Sequence, residues 1–394
     1  MAGVLNTLSL ATDLPGLAAQ VQEWLDDPQL SLMSRLKSLY QRPAVGYFPV
    51  YSPLEIFEAA GVYPIGVGDV SHDAEMALGE SRFPSFVCSI VKSTLDLGLA
   101  ERLRVLDGVV FHSICDAARN LQAVYARNIP QQWTDYLHFP QNFDSPAASE
   151  YLASEYRRLM RRLDAWTDRR MTNDDLLAAI ERYNRLRSHL RELYRFRRMH
   201  PDLLSTRVLY TLVRALGLLT VEDSLDLLTY ARGLLTRQVP RTRDSVRALW
   251  IGAFCEKPPW DLVETLEEAG IAIVDDDIGL AHRWFSDDIP LDGDAIMALA
   301  TAYCRNAVPA AVRHVPLGDR TAALLQRMQK VGADVVVMTV AKFCEPGLYE
   351  YAAYRRVLAE QKIPHILIEF DEHMWMFDKV QTDIETFVES VLLN

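Results

Sequence analysis

The feature that most limits what this 394-residue chain can fold into is an alternation of short apolar runs with helical repeats, present twice and interrupted once. The first block opens with "AVGYFPVYSPLEIFEAAGVYPIGV", which reads as strand, turn, short helix and strand. Ser52 is placed to cap that helix, Pro53 stands at its first position and Gly61 can end it. The block continues with "PSFVCSIVKSTLDLGLAERL" as a helix, "RVLDGVVFHSIC" as a buried strand, "DAARNLQAVYARN" as a helix and "TDYLHFP" as a strand. From about Ser145 to Val239 strand signals vanish and helical patterns dominate, as in "SEYLASEYRRLMRRLDAWTD" and "NDDLLAAIERYNRLRSHLRELYRF". The alternation returns at "RALWIGAFCEKPPWDLVETLEEAGIAIVDDD" and runs through "DVVVMTV", "GLYEYAAYRRVLAEQK" and "PHILIEF" to "DIETFVESVLLN".

Strands that alternate with helices pair in parallel, because each crossover helix covers a sheet face. The expected fold class is therefore α/β: two Rossmann- or flavodoxin-like parallel-sheet domains flanking a helical middle segment. The expected divisions are a helical N-terminal segment (1–42), a first α/β domain with Cys88 and Cys115 (43–144), a helical middle domain (145–240) and a second α/β domain with Cys344 (241–394). The two α/β parts read as diverged versions of one plan, without an exact repeat.

Composition narrows the function classes. With 49% hydrophobic and 24% charged residues the chain can bury a large core and carries no low-complexity tract. A net charge of −12 argues against nucleic acid as the main partner. No Lys or Arg precedes Arg35, so the basic start of a secretory signal is missing, and no apolar run approaches the roughly 18 residues of a membrane span. The expected location is cytoplasmic, with no membrane partner.

Five scattered cysteines (Cys88, Cys115, Cys255, Cys304 and Cys344) without a CxxC pair match neither a disulfide framework nor a zinc ribbon. Their positions are more telling. In open α/β sheets ligands bind beyond the carboxyl ends of the strands, where loops enter helices. Cys115 follows "GVVFHSI", Cys344 follows "DVVVMTV" and precedes Glu345, Pro346 and Gly347, and Cys88 is placed in the first turns of its helix. Helix starts favour negative charge, so thiolates there suit an iron–sulfur cluster; small apolar core fillers are the competing reading. The "EPG" sequence is expected to turn the chain sharply into its helix. Cys255 ends "ALWIGAF" in a similar place, as a fourth ligand or a bystander, and Cys304 reads as helix core.

Other motifs are missing or weaker. There is no P-loop, no GxGxxG and no GxSxG. Asp275, Asp276 and Asp277 suggest a solvated turn or helix cap before a Mg²⁺ site. Arg157, Arg158, Arg161, Arg162, Arg185, Arg187, Arg191, Arg195, Arg197 and Arg198 suggest solvated faces and ion pairs, with phosphate binding as the alternative. His112 and His138 read as core histidines. Glu55, His112 and Glu345 are ionisable groups near loop ends, and no single catalytic residue stands out among them.

The segments "GYFPVYSPLEIFEAAGVYPIGV", "FPSFVCSIVKSTLDLG", "DGVVFHSICDAARNLQAVYARNIP", "YLHFPQN" and "VVMTVAKFCEPGLYEYAAYRRVLAEQKIPHILIEFD" together resemble the benzoyl-CoA reductase and 2-hydroxyacyl-CoA dehydratase family over nearly the whole chain. Within it the likeness is greatest to the gamma (C) subunits of ATP-dependent reductases, chiefly through "FHSICDAARN". The resemblance implies a [4Fe–4S] cluster held by Cys88, Cys115 and Cys344, with the fourth ligand unassigned. It also implies partners: a related cluster-bearing subunit in a heterotetramer, ATP-hydrolysing activator subunits, ferredoxin as electron donor and an acyl-CoA substrate. The implied activity is reductive dearomatisation of benzoyl-CoA in anaerobic aromatic degradation. The alternatives are radical dehydration of a 2-hydroxyacyl-CoA, and an electron-relay or scaffold role beside a partner that alone binds substrate.

Overall fold

Runs such as "VVVMTVA" have no polar side to show to water, so they form strands buried on both faces. In the computed structural model, which describes residues 4, 11–71, 76–235, 245–252, 255–278, 287–313, 315–371 and 377–393, they build two separate four-stranded parallel sheets. The first contains β1 (Ala44–Tyr47), β2 (Tyr63–Gly66), β3 (Gly108–His112) and β4 (Trp133–Leu137), in the order β2-β1-β3-β4. The second contains β5 (Val246–Gly252), β6 (Ile271–Asp276), β7 (Val335–Ala341) and β8 (His365–Phe370), in the order β6-β5-β7-β8. The two orders are the same, which gives the likeness of the two α/β parts its structural meaning. In-register pairs such as Gly46↔Val109 and Leu249↔Val336 fix the central strands. In each sheet the order in which strands are added reverses between the two central strands, and such reversals open a crevice at the strands' carboxyl ends.

Helices α1 (Leu14–Asp26), α2 (Ser31–Tyr40), α3 (Leu54–Ala59), α4 (Ala77–Glu80), α5 (Ser89–Leu99) and α6 (Asp116–Asn128) belong to the first half of the chain. The strand-free stretch forms α7 (Ala148–Thr167), α8 (Asn173–Met199), α9 (Thr206–Leu216) and α10 (Val221–Leu235). The 27-residue α8 starts with a reciprocal cap, the Thr172 hydroxyl accepting from the Asp175 N–H while Asp175 accepts from the Thr172 N–H. Helix α1 packs on α9, and α12 (Ala295–Thr301), which follows α11 (Trp260–Glu268) and β6, packs on α7 and α8. The chain closes with α13 (Leu317–Val331), α14 (Glu345–Glu360) and α15 (Asp378–Leu392).

Several expectations change on contact with the packing. Ser52 does not cap α3; its buried hydroxyl donates to the Phe48 carbonyl just past β1 at 3.2 Å, and Pro53 takes the cap position. Asp275, Asp276 and Asp277 are neither solvated nor aligned as metal ligands. Arg327 holds Asp275 at 2.9 Å and Asp277 at 3.5 Å, Arg197 holds Asp276 at 2.6 Å, and the Gly252 N–H donates to Asp277. Arg187 and Arg197 are buried rather than on a solvated face, because each neutralises a buried acid, Glu55 and Asp276 respectively. Arg157, Arg158, Arg162, Arg191 and Arg198 also pair with acids, as expected. His112 is a core residue, whereas His138 is exposed one residue beyond β4, against the Tyr136 ring.

The two sheets are joined by the segment that leaves β5. Lys257 donates to the Gly68 carbonyl at 2.9 Å and pairs with Asp69, both just past β2, and the Ser89 hydroxyl donates to Glu256. These buried polar links fix where the loops of one sheet face those of the other.

Candidate metal centre

Three of the five cysteines, Cys115, Cys255 and Cys344, follow strand ends, and Cys88 follows α4. Cys115 caps α6 after β3, Cys344 caps α14 after β7, and Cys88 caps α5. Cys88 is thus the cap itself, one position before the first turn. Cys255 lies three residues past the end of β5. All four line one cavity of about 750 Å³, reached by the loops at both sheet reversals. Cys304 is elsewhere, buried in a π-type turn (Ala302–Asn306) of the helical core. The structure therefore brings Cys88, Cys115 and Cys344 together, although 229 residues separate the last two.

The route from β7 to Cys344 explains the abrupt end of that apolar run. Phe343 adopts a left-handed backbone at φ 65°, costing roughly 1–2 kcal/mol for a residue with a side chain, and it makes the sharp turn expected of "EPG". Glu345, Pro346 and Gly347 instead form the first turn of α14. Proline loses nothing there because its missing N–H would be unpaired anyway. A Cβ on Gly347 would stand 3.3 Å from Cys344 Sγ and 3.2 Å from Val340 Cγ1, so the bare glycine lets the helix start close against the thiol.

A common pattern relates the three caps. The Cys115 sulfur accepts from the Ala118 N–H at 3.4 Å. The N–H groups of Val91 and Gly347, likewise three residues on, pull on the Cys88 and Cys344 sulfurs without reaching hydrogen-bond geometry. Burial acts the other way and dominates: it drives the Cys344 thiol up to about 12, Cys88 further and Cys115 upward. Glu256 and the neighbouring cysteines add repulsion at Cys88 and Cys344. Such thiols are inert as free nucleophiles. Three thiolates fit this space only around a cationic centre, which the aligned N–H groups would support.

Among the described residues no three His, Cys, Asp or Glu side chains close on a point as ligands of one metal ion. The thiols flank a cavity instead, an arrangement suited to a polynuclear cluster, whose thiolates bind different metal atoms. The donor set and the space between its members thus fit an iron–sulfur group.

Of the acid–base candidates, only Glu345 lines this cavity. Glu55 is buried against Arg187 in the helical core. His112 is the last residue of β3, with Nε2 2.7 Å from the Phe48 carbonyl oxygen, and burial lowers its pKa to about 4, so it is neutral. Sequence reasoning missed Glu256, Arg119 and Arg320 in the cavity wall. Glu256 had a readable signal: β5 and β7 are both followed by a Cys-Glu pair, Cys255-Glu256 and Cys344-Glu345. Arg119 and Arg320 had none. Phe86, Phe343 and Tyr349 crowd the rim and are exposed.

The relatives that this chain resembles in sequence include subunits of a CoA reductase and of CoA dehydratases. The chain is 30% identical to one of the subunits of benzoyl-CoA reductase from Thauera aromatica over 353 residues, 89% of this chain and 92% of that one. It is 27% identical to the beta subunit of (R)-2-hydroxyglutaryl-CoA dehydratase of Acidaminococcus fermentans over 357 residues, 89% and 93% of the two chains. With the (R)-phenyllactyl-CoA dehydratase beta subunit of Clostridium sporogenes it shares 24% over 367 residues, 93% and 96%. The model of one family spans residues 49–391, from just past β1 to the last helix, and takes in every cysteine at the cavity. The chain accordingly belongs to the 2-hydroxyglutaryl-CoA dehydratase, D-component family.

Proposed function

We propose that this chain is the iron–sulfur subunit of an ATP-dependent benzoyl-CoA reductase, with Cys88, Cys115 and Cys344 holding a [4Fe–4S] cluster. The observation that carries the reading is the convergence of three cysteines, each capping a separate helix, on one cavity at both sheet reversals. When bound, such a cluster supplies single electrons to a reaction that two-electron carriers cannot run. The chain's own residues hold it: three helix starts present N–H groups toward the sulfurs, and the surrounding Ile114, Val312 and Ala341 limit access of water. The exposed Phe86, Phe343 and Tyr349 at the rim form the kind of apolar surface that a second subunit covers. On this reading the chain works in the cytoplasm beside a related cluster-bearing subunit, receiving electrons from ferredoxin through ATP-hydrolysing activator subunits. No helix among the described residues is long and apolar enough to cross a membrane.

A second reading, a subunit of a 2-hydroxyacyl-CoA dehydratase, is favoured by the dehydratase beta subunits among its relatives. One assay separates them. The oxygen-free complex, given ATP and reduced ferredoxin, is expected to convert benzoyl-CoA to a cyclohexadienoyl-CoA. Release of water from a 2-hydroxyacyl-CoA, with benzoyl-CoA untouched, would establish the second reading instead.

A further inference from the structure

We propose that Arg320 is the counter-charge of the cysteine-lined cavity, offsetting the negative charge brought there by thiolates and a stored electron and so setting the potential at which the site is reduced. The proposal rests on the iron–sulfur reading above and adds a residue to it. Among the described residues of the cavity wall, the ionisable side chains other than Arg320 and the exposed Arg119 are carboxylates, thiols and the Tyr349 phenol, Glu256 and Glu345 among them. Arg320 is 14% exposed, and its Nε and Nη1 form no hydrogen bond among the described residues. Its nearest charge is the buried Glu350 carboxylate, with Nη1 3.7 Å from Oε1, too long for a hydrogen bond. Arg320 and Cys344 line the same cavity. A buried guanidinium with undirected donors is costly unless its charge is used. Here it lines a cavity shared with four thiols and the carboxylates of Glu256 and Glu345.

Two consequences of opposite sign follow. Removing Arg320 takes a positive charge out of the cavity wall, which makes reduction harder. Removing the charge of Glu350 makes it easier. A cavity of this volume is about 11 Å across if round, and charges at such range in a partly buried site shift a one-electron equilibrium by about tenfold, or 59 mV.

The test is an EPR-monitored redox titration of the anaerobically purified full-length chain, with iron counted in every sample. At a fixed ambient potential the reduced-to-oxidised ratio should fall about tenfold in R320M, stay near wild type in R320K and rise in E350Q, with the R320M/E350Q double variant returning toward wild type. An R320M potential that is unchanged or raised, with iron retained, overturns the assignment. Should R320M lose its iron, R320Q is titrated in its place: a fall supports the proposal and no shift overturns it. Wild-type chain without iron overturns the iron–sulfur reading and this proposal together, an outcome the iron count separates from the others.

Discussion

Lys257 joins the two halves of the molecule, and replacing it tests whether that seam is built on charge. Its ammonium pairs with Asp69 and donates to the Gly68 carbonyl, and the side chains of Lys257 and Asp69 are 8% and 2% exposed. In Lys257→Met the carboxylate stays buried without its cation. Breaking such a pair from one side costs about 3–5 kcal/mol, most of it the penalty of the stranded charge. Removing both charges in D69N/K257M leaves no stranded charge and should cost clearly less than K257M alone, a coupling of about 2 kcal/mol or more. Urea unfolding followed by tryptophan fluorescence reads this as a large drop in midpoint for K257M and a partial recovery in the double variant. The same seam places Cys88 and Cys115 opposite Cys344, so K257M should also retain less iron. A K257M midpoint within about 1 kcal/mol of wild type, or a double variant as unstable as the sum of its singles, would refute the reasoning.

His112 makes stability depend on pH. Burial lowers its pKa to about 4, against the usual 6.5, and the hydrogen bond to the Phe48 carbonyl only partly offsets this. The unfolded chain therefore takes up the proton first, and stability present above pH about 6.5 is lost as pH falls toward 4, by up to roughly 3 kcal/mol. His112→Phe should flatten that slope in denaturation curves taken across the window. Gly252 ends β5 at φ 96°, and a Cβ there would overlap the Thr339 carbonyl oxygen on β7. Gly252→Ala is expected to cost at least about 2–4 kcal/mol, measured as a lowered Tm, since it adds a backbone clash to a left-handed strain.

Much of the architecture was legible because strand and helix periods differ and because strands buried on both faces cannot hide in loops. Both sheets, the helical stretch between them and the strand-end positions of Cys115 and Cys344 follow from that contrast. What the sequence left unread is long-range and polar. Nothing local to "VDDDIG" tells that Arg197 and Arg327 arrive from α8 and α13 to neutralise it. Nothing local to Ser52 tells that the carbonyl of Phe48 will claim its hydroxyl. His138 looked like strand interior because the apolar pattern runs one residue beyond the last β4 pair, Leu137 with His112. Cys88 and Cys344 moved from near a helix start to the cap itself, a shift of one or two residues that spacing does not resolve. Arg320 could not be found at all, since an arginine early in an amphipathic helix reads as solvated surface until the opposite wall is in place.

The central claim is that three cysteines from three helix starts hold one cluster. Iron and acid-labile sulfide per chain, in protein prepared without oxygen, test it most directly, comparing wild type with Cys344→Ser and with Cys304→Ser as a control remote from the cavity. The account predicts about four of each in wild type and in the control, lost or sharply reduced in C344S. Well-folded wild type free of iron when assembled with its partner subunit, or C344S that keeps its full complement, would contradict it.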